Sequence, residues 1–352
     1  MFISQAGFSS DSALMDDDFF LMDDEDVYEE GEAYALEDLL QLAEDQAELL
    51  EDGDEEGTVL RLATDEDILI WALSLLTESA VARALIAEAR IEEWSLEVDD
   101  IDSGQCVLDP QLRILILPRF SPSAQTFARS PEAASLFLSE MLRGLRLIWH
   151  SMVGIQNSGN LAVEDRILWE RLCRGDQDLI LLTAAWELDQ AEFPTLWHSL
   201  IVSDLGDLCS AFRAMADRHP DMVEDSSLLT HLMLRWMEEE GRFEELDHQT
   251  LEAMDEEFRR GVASGASRSL KAEDVLRLSR LPTPELSEKC YLAPIARTLL
   301  CDPFFRRMPD PLNEAHLLQI LEDCLPAAET LGFRDTELAR KIFPDHIVNT
   351  VV

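Results

Sequence analysis

The amino-acid sequence predicts an α+β protein that is predominantly α-helical, and three observations carry that expectation. Residues 134–152 set Leu138, Met141, Leu142, Leu145, Ile148 and Trp149 at the three-and-four spacing of a buried helix face. Trp94-Ser-Leu-Glu-Val98 alternates like a half-buried strand, and Arg113-Ile-Leu-Ile-Leu117 is a short apolar run of extended type. A second long helical run, Val163 to Gln190, follows the first and ends at Phe193-Pro194.

Taken in order, the chain opens on residues 1–57, which hold 21 Asp and Glu and no Lys or Arg. Self-repulsion and scarce apolar surface predict disorder over the first thirty or so residues. Phe19, Phe20, Leu21, Met22, Val27 and Tyr28 sit among those acids, a pattern suited to folding on a basic, apolar partner and equally to a solubilising tail. Leu36, Leu39, Leu40, Ala43, Ala47 and Leu50 then form a helical stripe closed by Gly53, free to dock on the body or on a partner.

The body is expected from residue 58 to 262. Thr64 reads as an N-cap before three acids, opening one helix from Ile68 to about Arg90, with Trp71, Leu75, Val81, Leu85 and Ile86 inward. Cys106–Leu108 is a further extended segment, parted from Arg113–Leu117 by Asp109-Pro110. Past the two long helices, Thr195 is expected to cap a short helix. Others are expected at about 204–218, 226–241 and 249–263, and Gly261–Ser269 is a linker. Residues 270–352 read as a C-terminal helical extension, with helices near 271–280, 285–301 and 313–331 among repeated prolines.

Composition narrows the function classes. Acidic residues number 72 against 28 basic, a net charge of −44, of which −23 falls outside the first 57 residues. Phosphate recognition replaces counterions with Lys and Arg, so nucleic acid and anionic membrane are excluded as expected partners and a basic protein is favoured. The six cysteines are scattered without a CxxC pair, which predicts reduced thiols. The N-terminus lacks the basic and apolar regions of a signal peptide, and no run is long enough to span a bilayer, so a cytoplasmic protein is expected. GxGxxG, GxxxxGK[ST] and GxSxG are all missing.

Several words along the chain carry a resemblance. They are Leu108-Asp-Pro-Gln-Leu-Arg-Ile-Leu-Ile-Leu-Pro118, Leu145-Arg-Leu-Ile-Trp-His150, Arg174-Gly-Asp176, Ala185-Trp-Glu-Leu188, Leu196-Trp-His198 and Ser203-Asp-Leu-Gly-Asp207. Over residues 60–260 the chain resembles a bacterial family of unknown function whose members are described as metallopeptidases, with a zincin-like helix-strand-strand-helix core. That resemblance implies a zinc site on the 134–152 helix. A zincin binds its ion through two His at i and i+4 and uses the Glu beside the first as general base. In the register that keeps the Arg-x-x-Trp end, Arg143 and Leu147 fall at the ligand positions and Gly144 at the base, and none can do that chemistry.

Another site could be drawn from the remaining polar residues. His150 is a candidate metal ligand, with Asp176 at the place where the resemblance puts an acidic ligand on the second helix and His198 beyond it. Glu140 lies about 15 Å from His150 along the helix, too far to share an ion unaided. One His with carboxylates holds zinc weakly and suits Mn²⁺ or Mg²⁺ better. His150 could equally complement the helix C-terminus. Glu187, beside Trp186 in an apolar helix, is the candidate catalytic carboxylate if burial raises its pKa, or an ion-pair partner of Arg166, Arg171 or Arg174. Ser203–Asp207 reads as a Ser-capped helix start, and Asp247-His248 and Asp345-His346 as solvated pairs.

The expected function is a metallopeptidase-like protein without zinc-peptidase activity that acts by protein binding, with no cofactor or at most a weakly bound Zn²⁺ or Mn²⁺. The alternatives are an active metal-dependent hydrolase with unusual ligands and an acidic decoy or inhibitor of a nucleic-acid-binding protein.

Overall fold

The computed structural model describes residues 32–51, 62–155, 158–260, 268–282, 290–324, 332–333 and 349–350. The expected tail motif at residues 19–28, the 261–267 part of the expected linker, the start of the 285–301 helix and the Asp345-His346 pair lie outside them. From Glu32 onward the described residues belong to one compact unit.

The small sheet comes first. Its strands are β1 (Tyr34–Ala35), β2 (Ser95–Asp99), β3 (Val107–Asp109) and β4 (Ile114–Pro118), in the order β1-β2-β4-β3. β2 and β4 are parallel, with Leu96 opposite Leu115, whereas β1 and β3 are antiparallel edges. Alternation sets one face: Leu96, Val98, Leu115 and Leu117 are buried, while Glu97 and Ile116 between them are less so. Asp109 Oδ1 accepts from the backbone N–H groups of Gln111 and Leu112, which turns β3 back toward β4.

Helix α1 (Leu36–Glu51) follows β1 directly. Leu36, Leu39, Leu40 and Ala43 are buried, and the helix packs on α2 (Asp65–Leu76), so it belongs with the body and not with the acidic tail. The side chains of Ala47 and Leu50 lie outside the described residues. Thr64 caps α2 as expected, in a reciprocal capping box with Asp67. The single helix expected to reach Arg90 is in fact two. It breaks at Thr77–Ser79, where Ser79 becomes the N-cap of α3 (Ala80–Ile91).

A short α4 (Ala124–Phe127) leads into α5 (Pro131–Met152), which Ser130 caps and Pro131 starts. The apolar face of α5 lies on β4. A Cβ on Gly144 would stand 2.6 Å from a terminal methyl of Leu115, so this glycine sets how closely helix and sheet approach. α6 (Val163–Gln190) packs along α5, and its low amphipathicity reflects burial all round through most of its length.

Six helices wrap α6 and one another: α7 (Thr195–Ile201), α8 (Gly206–Arg218), α9 (Pro220–Glu224), α10 (Ser227–Glu238), α11 (Glu244–Arg259) and α12 (Ala272–Leu278). α13 (Ala296–Cys301) and α14 (Pro311–Cys324) are the last α-helices among the described residues, and Gly332–Phe333 pairs in parallel with Asn349–Thr350. α12 reaches α6 and α14 reaches α11. Two expected caps are displaced. Thr195 is the first residue of α7 behind Pro194, and Leu205 rather than Ser203 precedes α8. Among the described residues no helix is long and apolar enough to cross a membrane.

Candidate functional site

The second half of α5 carries Glu140, Arg143, Arg146 and His150 at spacings of three, three and four, which puts them on one side of the helix. That side faces α6, where Asp176 and Asp178 are buried. A carboxylate at such depth needs compensation, and each of the two finds it on α5.

Asp176 is the centre. Its Oδ1 accepts from Arg146 Nη2 at 2.9 Å and from Tyr291 OH at 2.6 Å. Its Oδ2 accepts from Arg146 Nε at 2.6 Å and from His150 Nε2 at 2.7 Å. Two oxygens with two lone pairs each thus take four donors, the full capacity of a carboxylate. Burial alone pushes the Asp176 carboxyl up, but Arg146 and His150 outweigh it and hold the group well below the usual carboxylate range. An ionised Asp176 only accepts, so His150 must carry its proton on Nε2. Burial lowers the His150 pKa despite the opposing pull of Asp176, which keeps the ring neutral.

The network reaches the C-terminal part of the chain. Arg146 donates to the backbone oxygens of Leu278 and Arg280 at 2.9 and 3.0 Å, and Trp149 Nε1 donates to the same Arg280 oxygen at 3.0 Å. Burial and Asp176 raise the Tyr291 hydroxyl far above its ordinary pKa, so it stays a donor. Thr230 fixes the Tyr291 backbone by donating to its carbonyl at 2.5 Å. Burial likewise raises the Cys173 thiol, which rules out an activated thiolate there.

Asp178 serves a second cluster, one turn nearer the start of α5. Its Oδ1 accepts from Arg143 Nε and Nη2 at 3.0 and 2.8 Å, and its Oδ2 from Trp236 Nε1 at 3.0 Å. Arg143 also donates to Glu140 Oε1 at 2.7 Å, and Glu140 Oε2 accepts from the Cys106 backbone at 3.0 Å, which ties the cluster to the sheet edge. Burial, and then Glu140, push the Cys106 thiol up to about 12.

Of the four candidate residues, the structure therefore brings His150 and Asp176 together and leaves the other two apart. Glu187 lies on α6 eleven residues beyond Asp176, about 16 Å along the axis, so the two cannot share an ion. Glu187 Oε2 accepts from Ser79 Oγ at 2.6 Å and from the Val81 N–H at 3.0 Å, an anion at the start of α3. None of its expected cationic partners reaches it. Arg166, Arg171 and Arg174 share its helix, and even Arg174 is about 20 Å away along the axis. They pair instead with Glu257, Asp247 and Asp178. Asp247 is accordingly buried in a two-pronged pair with Arg171 and is not the solvated residue the sequence suggests. His198 is exposed on the last turn of α7. Among the described residues no three His, Cys, Asp or Glu side chains converge as a metal would require.

Those residues do not fit a zinc ion. A metal at Asp176 would have to displace Arg146 or Tyr291 and leave a buried donor unpaired. At Gly144, where the resemblance would put a general base, a side chain would run into Leu115. Arg146 and Tyr291, the two partners that sequence reasoning did not single out, differ in how visible they are. An arginine on the buried stripe of α5 is a signal that a carboxylate must face it. Tyr291, 115 residues from Asp176, gives none. Compared with protein-family models, with curated proteins and with solved structures, the chain gives no match.

Proposed function

We propose that this protein is a metallopeptidase-like scaffold whose zinc position has become a structural salt-bridge centre, and that it acts by binding a basic protein. The observation that carries the reading is the saturation of Asp176: Arg146, His150 and Tyr291 use all four of its acceptor positions. The element order supports the zincin-like part, since a helix, three strands, the short α4, a buried helix and a second long helix run from α3 to α6. The partner class rests on charge. A net −44 attracts a basic surface at long range and repels nucleic acid.

Two measurements test this. Labelled casein incubated with the full chain and added Zn²⁺ or Mn²⁺ should stay intact. Metal-dependent cleavage that disappears in Asp176→Asn would overturn the reading. Titration with decalysine should show saturable binding that weakens steeply between low and high salt, and weakens further when residues 1–31 are deleted. That deletion spares α1, which packs on the body. Affinity indifferent to salt would remove the basic partner.

A further inference from the structure

Helix α14 lies on α11 but joins the body through few contacts. Of its described side chains only Asn313 and Ile320 are buried, and Leu312 and Leu318 are 80% and 56% exposed. Ile320 sits apart from the main core, in a small cluster with Ile167 of α6 and with Leu251 and Met254 of α11. Two polar contacts add to it: Asn313 Nδ2 donates to the Glu244 carbonyl at 2.9 Å, and His316 Nε2 meets Asp255 Oδ2 at 2.7 Å. Beside the helix an open cavity of about 350 Å³ is bordered by Ile167, Leu168 and Leu317, so α14 leaves part of its apolar seat unfilled. The two arginines on that rim, Arg306 and Arg307, are already paired with Asp165 and Glu240.

The charges of the two helices are mismatched. Glu244, Glu245, Glu252, Asp255, Glu256 and Glu257 of α11 all reach solvent at least in part, against Arg259 alone within that helix. Arg166 answers Glu257, and Arg259 with Arg260 answers Glu256. α14 holds no Lys or Arg, so His316 is its one group able to carry positive charge. An acidic surface thus carries a helix that cannot neutralise it. A helix with the same apolar anchors and lysines at its polar positions would keep the packing and add attraction along the whole contact.

We propose that the face of α6 and α11 beneath α14 is the docking site of a basic amphipathic helix, and that α14 holds this face closed until the partner displaces it. The inference rests on the basic partner proposed above and adds where that partner binds, in what conformation and what it displaces. The chain's own α14 shows that the seat accepts a helix of 14 residues, with Leu317 and Ile320 as anchors one turn apart. Opening the face costs the partner the free energy of α14 docking, so any change that loosens α14 raises the partner's apparent affinity.

The probe is a peptide of leucine and lysine, as long as α14 and with its leucines at helical spacing, titrated calorimetrically into the full chain beside decalysine. Saturable binding of the peptide is expected, about tenfold tighter in Ile320→Ala, which loosens α14. Decalysine has no apolar anchors and should bind both proteins alike. Hydrogen exchange under saturating peptide should quicken over residues 312–321 and stay slow over residues 244–259. Unchanged exchange over 312–321 overturns the inference, even if the variant does not fold. So does quickened exchange in both helices, or a folded Ile320→Ala that binds the peptide no more tightly. If decalysine binds and the peptide does not saturate, the docking site falls and the basic partner stands. If neither binds, both fall.

Discussion

One helix, α5, meets its neighbours in two opposite ways. From Glu140 to His150 every ionisable side chain is answered: Glu140 by Arg143 and the Cys106 backbone, Arg143 by Asp178, Arg146 and His150 by Asp176. From Pro131 to Leu138 the same helix borders an uncharged cavity and keeps one hydroxyl unpaired. The difference separates a saturated stretch from an unsaturated one by a physical criterion. A buried polar group whose bonding capacity is spent has nothing to offer a ligand, and its loss strands its partners in the core. A buried polar group with capacity to spare costs stability.

Breaking the saturated half should have the largest effect. Asp176→Ala strands the Arg146 guanidinium in the core and is expected to cost about 3–5 kcal/mol in urea unfolding. Removing both ends in Arg146→Met with Asp176→Leu should recover most of that loss, because an apolar pair of similar volume replaces the buried ions. A double variant as unstable as the single one would mean that the contacts to Leu278 and Arg280, not the ion pair, hold this centre. Gly144→Ala comes next. Overpacking against Leu115 costs about 1–3 kcal/mol and the gain in helix propensity returns at most about 1, so net destabilisation is expected in the same assay.

The pH dependence sharpens the comparison further. Burial depresses the His150 pKa in the folded state, so the unfolded chain takes up a proton first as pH falls. Stability supplied by neutral His150 is therefore complete above about pH 6.5 and is lost as pH drops toward the folded value. Asp176, also depressed, adds loss in the same direction at lower pH, below the ordinary carboxylate pKa. His150→Asn should flatten the stability profile just below pH 6.5 and leave the acid limb in place. An unchanged profile would show that His150 does not titrate with unfolding.

Smaller effects are expected away from the saturated centre. Glu187→Gln weakens the anion at the start of α3 and should lower stability by about 1 kcal/mol. In the unsaturated half, Ser135→Ala removes an unsatisfied hydroxyl and should be neutral or stabilise by up to about 1 kcal/mol. A cost of several kcal/mol there would mean that the hydroxyl is already satisfied and would erase the contrast between the two halves.

How much of this could be read from the sequence depends on distance along the chain. The long helices, the strands at 95–99 and 114–118 and the Thr64 cap follow from local periodicity and capping chemistry, and they stand where expected. The break at Thr77–Ser79 is hidden because it contains neither Gly nor Pro; Ser79 caps α3 by accepting from the Ala82 N–H, and its second bond goes to Glu187, 108 residues away. His150 and Asp176 were legible as unusual groups on two apolar helices, but their relation was not. The acceptor that looked free for a metal is filled by Arg146 and by a tyrosine from the proline-rich tail. Glu187 and its expected arginines illustrate the simplest failure: all lie on α6, and helix rise alone keeps them apart.

The claim that the His150–Asp176 centre is closed to metal is the one most open to direct test. Elemental mass spectrometry of the purified full chain, loaded with Zn²⁺ or Mn²⁺ and then dialysed, should find far less than one metal per chain, with the same result in Asp176→Asn. Near-stoichiometric metal that disappears in Asp176→Asn would contradict the account and return this centre to metal chemistry.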